Sequence, residues 1–189
     1  MPGGAGGNEG RRLVRQEQGW AVEPLDAAVD HVRGPSGARL ILEYGDYECP
    51  YSRAAFREIE IVERQLDGGV RFAYRHFPLT ELHPHALAAS AAAEGAALQQ
   101  DFWRMHEVLF HRQKALADGD LRRYAADLGL DAARFDRERS GGQVLERVRR
   151  DVESALASGE VQGTPTLFID GTVYRGSYDA AALIRALSS

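Results

Sequence analysis

Among 189 residues there is one cysteine, Cys49. That excludes any disulfide within the chain, and with it the disulfide framework of small secreted domains. No run of about 18 apolar residues occurs, which excludes a membrane-spanning helix. No basic stripe stands out against a formal net charge of −5, so neither nucleic acid nor a membrane surface is an expected partner. The opening Met1 to Gly10 is glycine-rich and polar and has no apolar core, unlike a secretory signal. With the single thiol, this makes the cytoplasm the expected compartment. No self-similarity recurs at 20 to 50 residues, so a solenoid is excluded as well. The remaining composition, 44% hydrophobic and 27% charged, is that of an ordinary globular protein, long enough for one domain or one domain with an insertion.

The chain is organised around Cys49-Pro50-Tyr51-Ser52. An apolar extended run, Leu40-Ile41-Leu42, leads through Glu43-Tyr44-Gly45-Asp46-Tyr47-Glu48 to the cysteine. After it Ala55, Ile59, Val62 and Leu66 fall at offsets of four, three and four, one face of an amphipathic helix. A thiol at a strand-to-helix junction meets unpaired N–H groups and the positive end of the helix dipole, which favours the reactive thiolate. Pro50 suits the first turn, where its missing N–H costs nothing. The competing reading of Cys49 is a buried cysteine acting as a small hydrophobe.

The other elements follow from periodicity. Residues 1–19 are glycine-rich and then charged, and are expected to be a flexible segment. Trp20 to Val32 suits a short helix or a segment packed on the domain. Arg39 to Tyr44 is a strand, apolar enough to be central in a sheet. Val70, Phe72 and Tyr74 alternate with Arg71, Ala73 and Arg75, so 70–77 is a second strand, parallel to the first across the helical crossover. From Pro84 to Ser158 the chain is rich in Ala, Leu, Gln and Arg and reads as helices over 84–98, 102–114, 120–128, 132–139 and 143–157, with Asp101 and Asp131 as caps. Asp170-Gly171 then marks a hairpin between Leu167–Ile169 and Thr172–Tyr174, and 180–187 closes as a helix. The fold class is α/β: a thioredoxin-like core over 38–80 and 160–189, an all-helical insertion over 84–158, and one domain spanning 20–189.

Cys49-Pro50-Tyr51 after an apolar strand, and Gly163-Thr164-Pro165-Thr166 before a hairpin, together resemble the DsbA-like branch of the thioredoxin superfamily. Asp30-His31-Val32-Arg33-Gly34, Tyr44-Gly45-Asp46, Arg75-His76-Phe77-Pro78-Leu79, His83-Pro84-His85-Ala86, Phe102-Trp103-Arg104-Met105-His106 and Gly176-Ser177-Tyr178-Asp179 extend the likeness from Asp30 to Leu187. Cytoplasmic members of that family, some attached to sodium/proton antiporters, carry similar motifs. The resemblance implies a cis bond before Pro165, a substrate backbone held by Thr164 and Pro165, and Glu43 as a buried acid that shuttles a proton to or from the thiol. The competing reading of Glu43 is a solvent-facing strand residue.

One position departs from the family. Ser52 stands where a dithiol enzyme has the second cysteine that resolves its mixed disulfide. The resemblance then implies a monothiol oxidoreductase whose Cys49 adduct is released by glutathione or a partner thiol. A replaced resolving cysteine is the alternative account of Ser52. Ser52 is read as a hydroxyl donor to the thiolate or as a solvated first-turn serine, and Tyr51 as shape beside the thiol. No cofactor is expected, glutathione being a possible co-substrate; protein thiols and disulfides are the other expected partners. A different class of function also fits: a redox-inactive thioredoxin-fold module holding a peptide or glutathione. A glutathione-bridged iron–sulfur site is a third reading.

Other motifs are read as structural. His83-Pro84-His85 with His76, His106 and His111 lacks ligand spacing, so no metal site is expected. Phe102, Trp103 and Met105 suit a helical core, and Arg147, Arg149 and Arg150, interleaved with Glu146 and Asp151, a solvated helix face.

Overall fold

The computed structural model describes residues 20–26 and 28–189. The expected flexible segment 1–19 lies outside them. In chain order the described elements are β1 His31–Arg33, β2 Arg39–Gly45, α1 Pro50–Leu66, β3 Val70–His76, α2 Ala86–Ala97, α3 Phe102–His111, α4 Asp118–Asp127, α5 Ala132–Arg139, α6 Gly142–Ser158, β4 Thr166–Ile169, β5 Thr172–Tyr174 and α7 Ala180–Leu187. The strands form one sheet in the order β1-β3-β2-β4-β5. β2 lies at its centre, parallel to β3 and antiparallel to β4.

β2 is central because it can be buried on both faces. Ile41, with Phe72 and Tyr74 of β3, enters a large core that also takes residues of α1, α2, α3 and α7. Leu40, Leu42 and Tyr44 enter a second core on the opposite face, with Ala73, Phe168, Ala155 of α6 and Val22. Strand alternation sends Glu43 to the same face as Ile41. The solvent-facing reading of Glu43 is therefore wrong: it is fully buried. Helices α2 to α5 share the larger core with the sheet, Phe102, Met105 and Phe110 packing with Phe72 and Tyr74.

Of the two readings of residues 20–32 the packed segment holds: the described residues form no helix, Val22 is buried on the sheet, and His31–Arg33 adds an edge strand antiparallel to β3. Two local expectations are corrected. Helix α2 begins at Ala86 with His85 in the N-cap position, and α3 ends at His111 rather than 114. Asp131 caps α5 by accepting from the Arg134 N–H, whereas Asp101 makes no side-chain cap and pairs with Arg104.

Candidate active site

Cys49 is the N-cap of α1, with extended backbone (φ −73°, ψ 121°), and Pro50 opens the helix. Its side chain makes no capping bond; the thiol instead donates to the Thr164 carbonyl oxygen at 3.2 Å. Cys49 is 3% exposed, while Tyr51 beside it is 70% exposed. The Thr164–Pro165 peptide bond is cis. Tyr178 donates its phenol proton to the Pro165 carbonyl at 3.1 Å. A cleft of about 440 Å³ runs past Gly163, Thr164, Pro165, Tyr174 and Tyr178. The structure thus places Cys49, Thr164 and Pro165 in one spot, although 115 residues separate Cys49 from Thr164.

The solvated reading of Ser52 fails: the residue is buried, and its hydroxyl oxygen accepts from the Asp46 N–H at 3.3 Å. The cause is helical geometry: position 52 turns inward under the loop that precedes Cys49, where an unpaired hydroxyl would be costly.

Beneath the loop lies Glu43. Neither carboxylate oxygen has a hydrogen-bond partner, and burial pushes its carboxyl up to about 8. A methyl group built on Gly45 would come within 2.8 Å of both Glu43 Oε1 and the Tyr74 hydroxyl, so these two buried groups crowd the same space and only glycine fits there. Burial, then the charges of Glu43 and Cys49, raise the Tyr178 phenol above its usual range.

The loop itself is held by residues that the sequence left unassigned. Asp46, fully buried, accepts from the Glu48 N–H, the Leu79 N–H and His83 Nδ1 at 2.8 to 2.9 Å. Glu48 accepts from the His85 N–H at 2.6 Å and pairs with His85 Nδ1 at 2.9 Å. His83-Pro84-His85 is thus a brace that occupies the two acids nearest the thiol. Gln113, just past α3, donates to both the Tyr47 and Cys49 carbonyls at 2.8 Å. Nothing local in the sequence marks Gln113, since its partners lie 66 and 64 residues away.

Elsewhere, Phe102 and Met105 are core as expected. Arg147 and Asp151 are not a solvated face: Asp151 is buried, and Arg147 pairs with it and reaches Asp30 at 3.8 Å. Arg149 does remain exposed, paired with Glu146 and Glu153.

The sequence matches the family described as Thioredoxin over residues 26–189. It is 42% identical over 171 residues to the Na(+)/H(+) antiporter NhaA 1 of Mycobacterium sp. (strain KMS), an alignment covering 89% of this chain and 28% of that protein. The chain thus spans just over a quarter of the length of this relative. A thioredoxin-like oxidoreductase from Silicibacter pomeroyi DSS-3 superposes with a TM-score of 0.76 at 26% identity, covering 86% of this chain and 92% of the other. Wolbachia pipientis α-DsbA1 shares the fold with a TM-score of 0.71 at 19% identity, over 87% and 91% of the two chains. On a DsbA-like fold, and by the match over nearly all its described length, this chain belongs to the thioredoxin family.

Proposed function

We propose that the chain is a thiol–disulfide oxidoreductase that works through Cys49 alone. The observation that carries the reading is the position of the Cys49 thiol at the start of α1, 3.2 Å from the Thr164 carbonyl beside cis-Pro165. As thiolate, Cys49 attacks a disulfide R–S–S–R′, forming Cys49–S–S–R and releasing R′–S⁻. An external thiolate R″–S⁻ then attacks the R sulfur, yielding R–S–S–R″ and returning Cys49 as thiolate. Glutathione or a protein thiol fills the external role, because Ser52 offers no sulfur. Thr164 and Pro165 present main chain to an extended substrate, Pro50 and Tyr51 shape the approach, and Glu43 takes or returns a proton beneath the loop.

The test is incubation of the native protein with glutathione disulfide, followed by intact mass and peptide mapping. A single glutathione on Cys49, removed by excess reduced glutathione, is the expected result. Modification only after unfolding would overturn the proposal. That outcome is what the second reading, a redox-inactive module holding a peptide or glutathione in the same cleft, requires; the 3% exposure of Cys49 favours it.

A further inference from the structure

A second cluster of reactive groups lies apart from Cys49 and plays no part in the proposed exchange. His31 is paired with Tyr74 across the β1–β3 ladder, and His76 lies two residues further along β3, on the same sheet face as Tyr74. Helix α2 brings Glu94 onto that face. His31 Nε2 and His76 Nε2 both meet the same oxygen, Glu94 Oε1, at 2.7 Å. The three potential ligand atoms lie within 4.8 Å of one another.

From this convergence we infer that His31, His76 and Glu94 form a binding site for a divalent transition cation of the zinc class. Two imidazoles and one carboxylate are the ligand set of three-ligand zinc sites that leave a fourth position open, and imidazole donors suit Zn²⁺ and its first-row neighbours. The open position has somewhere to face: His31 and Glu94 line a cleft of about 510 Å³ with Arg147 and Arg150 on its wall. The site is also held in shape. The His31 ring stacks on Phe102 with centroids 3.5 Å apart and planes 8° from parallel, while His76 is fully buried.

Charge points the same way. Among the described residues Glu94 has ion-pair partners only in the two histidines. Of the two arginines that line the same cleft, Arg147 is paired with Asp151. Glu94 is thus a buried carboxylate with no arginine or lysine at ion-pair distance among the described residues, a situation that a cation relieves.

Geometry sets the adjustment that binding needs. Zn–N and Zn–O bonds of about 2.0 to 2.2 Å put tetrahedral ligand atoms roughly 3.3 Å apart, so each 2.7 Å contact must open by about half an ångström. His31, 16% exposed on an edge strand, is the least enclosed of the three ligands and the one that makes that shift. His76 Nδ1 is buried without a partner. Coordination through Nε2 moves the imidazole proton to that nitrogen, where no acceptor braces it, which places the affinity about 10- to 100-fold below a fully braced centre.

The experiment titrates Co²⁺ and then Zn²⁺ into the full chain carrying Cys49→Ser, with the wild type in parallel. The expected result is one equivalent bound in both, with visible d–d absorption of a four-coordinate N/O site and no thiolate charge-transfer band. Zn²⁺ should displace Co²⁺, and Glu94→Gln or the more exposed His31→Gln should weaken Zn²⁺ binding by at least about 10-fold. Absence of a saturable site, a site lost on Cys49→Ser, or one unchanged in His31→Gln overturns the inference. Because the spectrum is read on unmutated ligands, a failure of Glu94→Gln to fold leaves the test decisive.

Discussion

The Cys49 thiol donates its hydrogen bond to the carbonyl of Thr164, so the nucleophile and the main chain that would hold its substrate are already in contact. Ser52, in the first turn of α1, takes no part in that contact and accepts from the Asp46 N–H.

It follows that Ser52→Cys changes the fate of the adduct. A mixed disulfide between Cys49 and a peptide thiol should persist in the wild type until an external thiol is added. In Ser52→Cys a second sulfur can attack Cys49 and expel the peptide unaided. Quenched mass spectrometry of the adduct gives the lifetimes. Equal lifetimes in the two proteins would mean that position 52 cannot reach the Cys49 sulfur.

Glu43 makes stability depend on pH in the direction opposite to an ordinary carboxylate. Its ordinary value is 4.5 and burial raises it to about 8 in the folded protein. The protonated carboxyl is the compatible form, so its contribution is complete below pH 4.5 and is lost as pH rises through 8. Urea unfolding between pH 5 and 8 should therefore show the wild type losing up to ~1.4 kcal/mol per pH unit relative to Glu43→Gln, which carries no titrating proton. Parallel stability curves for the two proteins would refute a raised value at this site.

Gln113→Ala removes two hydrogen bonds from carbonyls of the active loop. At about 1 kcal/mol each, the expected loss is about 1 to 2 kcal/mol by urea unfolding. Native-state alkylation of Cys49 should accelerate, since the thiol is buried and reagents reach it only when the loop opens. Stability lost without faster alkylation would show that Gln113 braces the helices and not the loop.

The sequence revealed most where the signal is local. The alternation of 70–76, the 3.6-residue spacing after Cys49 and the Asp170-Gly171 turn each specify an element without reference to the rest of the chain, and β2, α1, β3 and the β4–β5 hairpin lie where those signals put them. Cys49 was legible as a helix-start thiol for the same reason. What stayed hidden depends on partners distant in sequence. β1 has three residues and exists because β3 pairs with it. Ser52 is identified by type but not by burial, and Gln113 by neither. His31 and Glu94 lie 63 residues apart, and only the packing of α2 on the sheet unites them. Arg147 was misread because its i,i+4 neighbour Asp151 looks like a surface partner; the salt bridge to Asp30 that buries it comes from before β1.

Asp30 and Arg75 supply the last prediction, on the opposite face of the sheet from Glu43. Both side chains are essentially buried, and the guanidinium meets the carboxylate through two bonds of 2.9 Å. Arg75 also donates to the Glu23 and Pro24 carbonyls, tying the segment before β1 to β3. Burial alone would raise the Asp30 carboxyl, but the bonds and charge of Arg75 bring it below its ordinary value. Its stabilising contribution is accordingly present above about pH 3.8 and is lost as pH falls through the lower folded value. Arg75→Met should cost about 3 to 5 kcal/mol at pH 7, because Asp30 is left charged and buried. Adding Asp30→Asn removes that charge and should restore a large part of the loss, so the double variant should be more stable than Arg75→Met alone. Urea unfolding of the wild type, both single variants and the double variant gives the cycle. A double variant at least as unstable as the sum of the singles would show that Arg75 acts through its backbone ties to residues 23 and 24 and not through the ion pair.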